Sequence, residues 1–452
     1  EPGLRPGVAF ALVLLTIPVL ALAGQCVRLG APARDRRLAA LRLAGATPRQ
    51  AVTIAATETG LASLLGTGLG LGVYLLGRQV LHRPDAEGRI PLPTDVLPSA
   101  GALAAVVIGL PLLAALAAVI TMRRVTVTPF GVVRQHRRER APRPWPGVLI
   151  ALGVAAFMAI QPLMLWYSRT DREMPVALLP LLLFGGGLLG AIGVVLGTGW
   201  LSYTAGRVLH RFAGRPAALL AARRLMADPW AGSRTFAALL ACVLFGAGAA
   251  GFRSWFVAQA ETEQAHQRLT AVAMGEEHHG YSVNDFYLRS MDLVDAAVVV
   301  ALVIATGGLL VTLAEGIVSR RRAYAALVAT GVPRPVLGRA VLWQSLAPAV
   351  PAILLALTVG VLLARGLLGD EVRSSGTVFE TCEAGPELCD NPATREQYTR
   401  LVEIPAVTRA FPVPFDDLAL FGAGALAAVL VTVGIGLLFL HSSTALEELR
   451  VS

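Results

Sequence analysis

Nine long apolar stretches constrain what this chain can fold into more than any other feature of its sequence. A helix needs about 20 mostly apolar residues to cross the hydrocarbon core of a bilayer, and each stretch is long enough. Only 15% of the residues are charged, whereas soluble proteins carry about a quarter. The sequence therefore predicts an all-α fold, a polytopic bundle of transmembrane helices. The stretches lie at residues 7–27, 52–77, 98–121, 146–166, 175–200, 235–256, 293–316, 338–364 and 415–440.

Arginine is unevenly distributed between the segments that join these stretches. Five alternate segments hold 25 of the 39 basic residues, and they lie at 28–50, 122–144, 203–234, 317–339 and 441–452. Because cytoplasmic loops of membrane proteins carry an excess of positive charge, this side and the C-terminus are predicted to be cytoplasmic. We expect a multi-pass protein of the cytoplasmic membrane, in contact with the lipid bilayer. The net charge of +9 lies in short clusters and not on one soluble face, so nucleic acid is not an expected partner.

The basic residues are all arginine, and this excludes one function class. A P-loop uses a lysine to reach the nucleotide phosphates, so a chain without lysine is not expected to hydrolyse ATP. If ATP drives this protein, a separate chain must hydrolyse it. We find no motif for a catalytic residue or a cofactor, and no enzyme activity is expected. Adjacent residues such as His278 and His279 cannot converge on one ion without a bent loop, so no metal site is expected.

Two cysteines share the polar segment 365–414. Cys382 and Cys389 flank Gly385-Pro386, a dipeptide that favours a turn. If this segment is extracytoplasmic, a disulfide between the two is expected, because that compartment is oxidising. The segment would then form a small stapled cap on the outer side.

A short cytoplasmic segment occurs twice in the chain. The run from Arg36 to Arg49 resembles the run from Arg322 to Arg334 when it is shifted by 286 positions. The same shift places Glu58 opposite Gln344. The positions that match are Arg36 with Arg322, Ala39 with Ala325, Ala40 with Ala326, Leu41 with Leu327 and Gly45 with Gly331.

Each copy predicts a short amphipathic helix, a sharp break and a new helix that enters the membrane. Gly45 and Gly331 are suited to ending the short helix. Thr47 is a candidate N-cap of the next helix, with Pro48 at its first position and Gln50 closing a capping box. An ordinary interfacial helix among the lipid headgroups is the alternative for either copy. The repetition favours binding to a two-fold partner, because such a partner would require one such helix for each of its two equivalent sites.

The two segments resemble the signature of the FtsX-like permeases, the MacB-type class of ABC transporters. Arg36 to Arg49, followed by the early acidic residue Glu58, is similar to that signature, and Arg322 to Arg334 with Gln344 is less strictly so. The stretch from Ala221 to Pro229 also resembles the cytoplasmic helix before the second half of actinobacterial members.

The resemblance implies two repeats joined by a helical hairpin. The first repeat would be 1–121 with a coupling helix at about 34–45, and it would lack its first span. Residues 122–234 would hold a cytoplasmic linker, the hairpin 146–200 and a basic segment. The second repeat would be 235–452, with a coupling helix at about 319–331 and the outer loop 365–414. An additional N-terminal span, giving ten, is thus expected.

The resemblance also implies a function. The chain would be the permease subunit of an ABC transporter, coupled to two copies of a separate ATPase for export or mechanotransmission. The implied ATPase contacts are Arg37, Leu38, Leu41, Arg42, Gly45, Arg322, Tyr324, Leu327, Val328 and Gly331. One alternative is a non-transporting regulator of an envelope enzyme, which would bind an extracytoplasmic partner. A second is an ATPase-independent carrier, which the scarcity of ionisable residues deep in the spans disfavours.

Overall fold

The computed structural model is built almost entirely from long helices. It describes residues 37, 40, 44–81, 98–126, 142–274, 285–319, 328–382 and 399–443. The helices are α1 (Pro48–Leu81), α2 (Ala100–Thr126), α3 (Trp145–Met158), α4 (Ile160–Arg169), α5 (Gly186–Phe212), α6 (Pro216–Ala227), α7 (Pro229–Met274), α8 (Asp285–Ser319), α9 (Arg334–Leu368) and α10 (Phe415–Ser443). A helical turn at Leu178–Pro180 and a π-helical turn at Leu181–Gly185 lead into α5.

The predicted polytopic helical fold is confirmed. Among the described residues, seven helices are long and apolar enough to cross a membrane. They coincide with seven of the nine stretches expected from hydropathy. The stretch 293–316 lies in α8, whose apolar part Val294–Leu310 is shorter. The stretch 7–27 lies outside the described residues.

The chain divides into two compact units, one within residues 30–138 and the other within 139–452. In the first unit α1 and α2 pack against each other, and a Cβ at Gly60 would lie 3.5 Å from the Cβ of Ala115. Apolar side chains such as Leu69 and Leu112 are exposed on these helices. Exposed apolar surface of this kind is consistent with a membrane-spanning pair.

In the second unit α7 is the most deeply buried of the candidate spans. Small residues let the helices around it approach closely. A Cβ at Gly251 of α7 would lie 2.6 Å from the Cβ of Ala364 on α9. Between α3 and α5, a Cβ at Gly153 would lie 2.7 Å from the carbonyl oxygen of Gly186. These contacts fix the helices at short axial distances.

Four short strands interrupt the otherwise helical fold. They are β1 (Glu371–Ser374), β2 (Thr377–Cys382), β3 (Thr399–Ile404) and β4 (Val407–Ala410). β1 pairs with β4 and β2 pairs with β3, both antiparallel, with Ser374 opposite Val407 and Thr377 opposite Ile404. We call this pair of two-stranded sheets the ribbon. The expected cap in segment 365–414 is therefore a β structure in the described part.

The segment 257–292, which lies between two of the predicted spans, is helical in its described part. α7 continues to Met274 and α8 already begins at Asp285. With 46 residues, α7 is about 69 Å long, more than twice the hydrocarbon thickness of about 30 Å. The helix therefore projects beyond the bilayer, where the hydropathy of the sequence indicates a loop.

Candidate functional site

The first of the two repeated segments contains a sharp break in the backbone, which we call the first break (44–47). Gly45 has a φ of 95°, in the left-handed region that favours glycine. The N–H of Thr47 donates to Oε1 of Gln50 at 2.9 Å, and the N–H of Gln50 donates to the Thr47 hydroxyl at 3.4 Å. This reciprocal pair is the capping box predicted from the sequence, and α1 begins at Pro48 directly after it.

The second break (330–333) also contains a glycine in the left-handed region. Gly331 has a φ of 94°, and its N–H donates to the carbonyl of Val328 at 2.9 Å. Pro333 is extended, with φ −61° and ψ 135°, and α9 begins at Arg334. The helix starts at Pro48 and Arg334 are 286 positions apart, as are the two glycines. The sequence repeat is therefore also a structural repeat.

The helices that follow the breaks also bury the same face. Ala51 in α1 and Leu337 in α9 are separated by 286 positions, and each is 1% exposed. One turn later, Ala55 and Val341 are likewise buried. The break therefore sets the rotation of each following helix in the same way.

An ion pair joins the segment before the first break to α1. Nη1 of Arg37 lies 3.3 Å from Oε1 of Glu58, and both side chains are exposed. An exposed pair of this kind contributes about 0 to 1 kcal/mol. It places Arg37, one of the sequence-predicted contact residues, beside the polar residue that characterises the repeat. The corresponding residue of α9, Gln344, is partly buried.

The second break is packed between helices. Val328 and Val332 contact a cluster centred on buried Leu337, with Leu220 of α6 and Leu437 of α10. Val328, a sequence-predicted ATPase contact, is thus half-buried inside the unit, while Gly331 and Gly45 are exposed. A displacement of the second break would be transmitted through these apolar contacts to three helices.

Several predicted residues lie outside the described part of the structure. They are Leu38, Leu41, Arg42, Arg322, Tyr324, Leu327 and Cys389. Cys382 ends β2, and the predicted disulfide with Cys389 stays a prediction. His278 and His279 are also outside. Within the described residues, no group of three or more His, Cys, Asp or Glu side chains could hold a metal ion.

A single helix connects the second break to the ribbon. α9 has 35 residues from Arg334 to Leu368, about 50 Å of helix. Gly369 ends it with a φ of 83° and an N–H that donates to the carbonyl of Arg365 at 2.8 Å. β1 begins two residues later. The break and the ribbon are therefore at opposite ends of one helix, which contains Pro348 and Pro351.

The ribbon is anchored on α7 by polar contacts. Nη1 of Arg409 lies 2.6 Å from Oε2 of Glu261, and the Ser254 hydroxyl donates to the carbonyl of Pro412 at 2.8 Å. The Thr377 hydroxyl lies 3.3 Å from Nε2 of His266. Sequence reasoning could not identify these partners, since they are more than 100 residues apart.

An apolar cluster below these contacts completes the anchor. Buried Ala258, Val372 and Phe411 pack together, with Trp255 against them. The guanidinium of Arg365, in the last turn of α9, lies 5.4 Å from the Phe411 ring centre. The ribbon, α7 and α9 therefore form one packed assembly, and movement of α9 along or about its axis would move the ribbon.

A second polar cluster joins α7 to α8. Nη1 of Arg253 lies 2.7 Å from Oδ1 of Asp292 and 2.8 Å from Oδ2 of Asp295. Arg253 is adjacent to Ser254, which contacts the ribbon side. The three side chains therefore tie the two helices together near the ribbon.

Part of the chain matches a known family. Residues 8–127, about a quarter of the chain, match the FtsX-like permease C-terminal domain family. The match includes the first break and α1, and the second break lies outside it. No curated protein and no solved structure matches the chain. The match supports the resemblance to FtsX-like permeases in the region where the first of the two signatures lies.

Proposed function

We propose that this chain is the permease subunit of an ABC-type system, and that the two breaks receive the movement of a separate ATPase. The observation that carries the proposal is the repeated geometry at Gly45 and Gly331, with φ angles of 95° and 94° and helix starts in register. The family match over residues 8–127 supports it independently. Two equivalent breaks in one chain fit two copies of the ATPase.

The proposed mechanism is mechanotransmission. An ATPase bound at the second break would press on Val328 and Val332, which contact Leu337 at the start of α9. Because α9 is continuous to Gly369, its movement would reach the ribbon about 50 Å away. The contacts of Arg409 and Ser254 would pass this movement on to α7. Export of a substrate, or work on an outer component, would follow from this movement.

The proposal includes an orientation and a domain arrangement. The breaks and the C-terminus would be cytoplasmic, and the ribbon extracytoplasmic. The two repeats would lie within 1–121 and 235–452, joined by the hairpin 146–200. The exposed residues Arg37, Gly45 and Gly331 would contact the ATPase directly, together with the predicted residues outside the described part. Val328, which is half-buried, would pass the movement of the ATPase to Leu337.

One observation favours the second candidate, a transmembrane regulator of an envelope enzyme. Val378 of β2 and Leu401 of β3 lie on one face of the ribbon and are 59% and 63% exposed. The opposite face carries Thr377, which contacts α7 through His266. An exposed apolar pair beyond the outer end of α9 would fit a protein partner. In this function the ATPase would still move the chain, and the movement would act on the partner protein.

The test of the coupling proposal is purification of the tagged full-length protein in detergent, followed by ATP hydrolysis in the eluate. A Walker-type ATPase is expected to co-purify with the wild type. Gly45→Val together with Gly331→Val is expected to lose it. At either glycine, no atom of the described residues lies within 4 Å of the position that a Cβ would occupy. A side chain is therefore disfavoured there only by the positive φ, at about 1–3 kcal/mol.

Two control variants make the result specific. Asparagine tolerates the left-handed region better than other residues, so Gly45→Asn with Gly331→Asn should retain more ATPase than the valine pair. Gly66 lies inside α1 without a positive φ, and no atom of the described residues lies within 4 Å of the position of its Cβ, so Gly66→Val should retain all of the ATPase. An intact, monodisperse wild-type protein that brings down no ATPase would overturn the proposal and favour a carrier or a scaffold.

A further inference from the structure

An apolar groove of about 430 Å³ runs between α5 and α9. Its walls include Ala205, Val208 and Phe212 on α5 and Trp343, Ala347 and Pro351 on α9. The groove is open because Ala205 and Ala347 have no side-chain atoms beyond Cβ to fill it. None of these residues belongs to the breaks or to the ribbon.

The groove has almost no polar surface. Thr204 is its one hydroxyl-bearing lining residue, and that hydroxyl donates to the carbonyl of Trp200 at 3.0 Å. The hydroxyl is therefore satisfied by the helix backbone and does not require a polar ligand. The groove is suited to an apolar occupant.

Two arginines lie at one end of the groove. Arg211 follows Val208 by three residues, and Arg339 precedes Trp343 by four, so each continues one wall of the groove by a helical turn. Both side chains are exposed. The end of α5 is close to the start of α9, because α6 begins four residues after Phe212 and Leu220 of α6 packs against Leu337 near the start of α9. The two arginines therefore lie at the same end of the groove.

We propose that the groove binds an acyl chain of an anionic phospholipid of the bilayer, with the lipid phosphate held between Arg211 and Arg339. The groove spans Trp343 to Pro351, about 12 Å, on one wall and Leu201 to Phe212, about 16 Å, on the other. Half of the hydrocarbon core is about 15 Å. Basic pockets between transmembrane helices bind anionic lipid headgroups. This groove combines an apolar channel for the acyl chain with two arginines for the headgroup.

An acyl chain is a single file of methylene groups and fits inside a groove of about 430 Å³. A transmembrane helix is about 10 Å across, so a helix of a second copy would pack over the mouth of the groove, and the experiment below distinguishes the two occupants. The inference concerns the membrane environment and does not depend on the proposed ATPase coupling.

The test uses Trp343 as a reporter in the groove. The full-length protein is placed in phosphatidylcholine vesicles that contain a minor fraction of either brominated phosphatidylglycerol or brominated phosphatidylcholine. Bromine quenches indole fluorescence at short range, so the anionic brominated lipid is expected to quench more at the same mole fraction. Trp343→Phe is expected to remove this excess and to leave the quenching of the other five tryptophans equal for both lipids.

Charge variants then test the headgroup site. Arg211→Gln with Arg339→Gln should lower the preference for the anionic lipid by at least about fivefold, the factor equivalent to about 1 kcal/mol for one arginine near the membrane surface. Arg223→Gln removes an exposed charge from α6 and should leave the preference unchanged. Inorganic phosphate should not displace the lipid, since it has no acyl chain to bind the groove.

Three fluorescence results would overturn the inference. They are equal quenching by the two brominated lipids in the wild type, an unchanged preference in the double arginine variant, and an excess that persists in Trp343→Phe. Cross-linking of two copies through Cys introduced at Ala347 would also overturn it, because the groove would then be a protein interface.

Discussion

Nη1 of Arg409 lies 2.6 Å from Oε2 of Glu261, and this ion pair joins β4 of the ribbon to α7 across 148 positions of the chain. Both side chains are about half exposed, so the pair contributes little to global stability, about 0.2–1 kcal/mol. The pair instead determines the position of the ribbon, because it holds β4 against α7, the most buried helix of the second unit.

Removing this pair should loosen the ribbon without unfolding the helices. We expect Arg409→Gln to increase amide hydrogen exchange in β4 and β1, because the strand loses its contact with α7. The double change Arg409→Glu with Glu261→Arg should restore protection. Arg373→Gln, at an exposed position of β1, is the control. Equal exchange in Arg409→Gln and the wild type would show that the other contacts hold the ribbon without this ion pair.

Close packing between α7 and α9 should be sensitive to one methyl group. A Cβ at Gly251 would lie 2.6 Å from the Cβ of Ala364, so Gly251→Ala should destabilise the protein by about 1–3 kcal/mol. Gly307 of α8 has no atom of the described residues within 4 Å of such a position. Gly307→Ala should therefore be neutral or stabilise by up to about 1 kcal/mol through helix propensity. Thermal unfolding in detergent measures both, and a similar melting temperature for the two variants would contradict the close contact.

The Arg253 cluster should behave as a cooperative unit. Arg253→Gln leaves Asp292 and Asp295 close together without their shared cation, and we expect a loss of about 1.5–3 kcal/mol. Asp292→Asn should cost less, since the Asp292 side chain is 60% exposed and that of Asp295 is 29% exposed. A double-mutant cycle of Arg253→Gln and Asp295→Asn measures the coupling. Additive losses in the cycle would show that the pair makes no net contribution.

The spans and the breaks could be predicted from the sequence because their causes are local. Runs of apolar residues determine the spans, and a glycine followed by Thr47 and Gln50 determines the capping box within six residues. The length of α7 was missed because hydropathy falls after residue 256. The run from Gln259 to Thr270 is rich in Ala, Glu and Gln, which favour helix, and this was the available signal.

The ribbon and its anchors could not be predicted in the same way. β1 and β4 are four residues each and pair across 33 positions, with Ser374 opposite Val407. Strands this short have weak local patterns, and the choice of partner depends on the tertiary structure. The same holds for Arg253, whose partners are 39 and 42 positions away. The sequence indicates that these side chains are charged but does not indicate which of them meet.

The capping box at the first break allows an experiment that separates the stability of α1 from the contact with the ATPase. Thr47→Ala removes the hydroxyl that accepts from the N–H of Gln50 and should destabilise the start of α1 by about 1 kcal/mol. Hydrogen exchange at residues 49–52 should rise several-fold, while exchange in α9 stays unchanged. Thr47→Ser retains the hydroxyl and should restore protection. If the break works as a rigid hinge, Thr47→Ala should also reduce the ATPase activity that co-purifies, and Thr47→Ser should not. Increased exchange with full ATPase co-purification would mean that the cap stabilises α1 and that the contact with the ATPase does not depend on it.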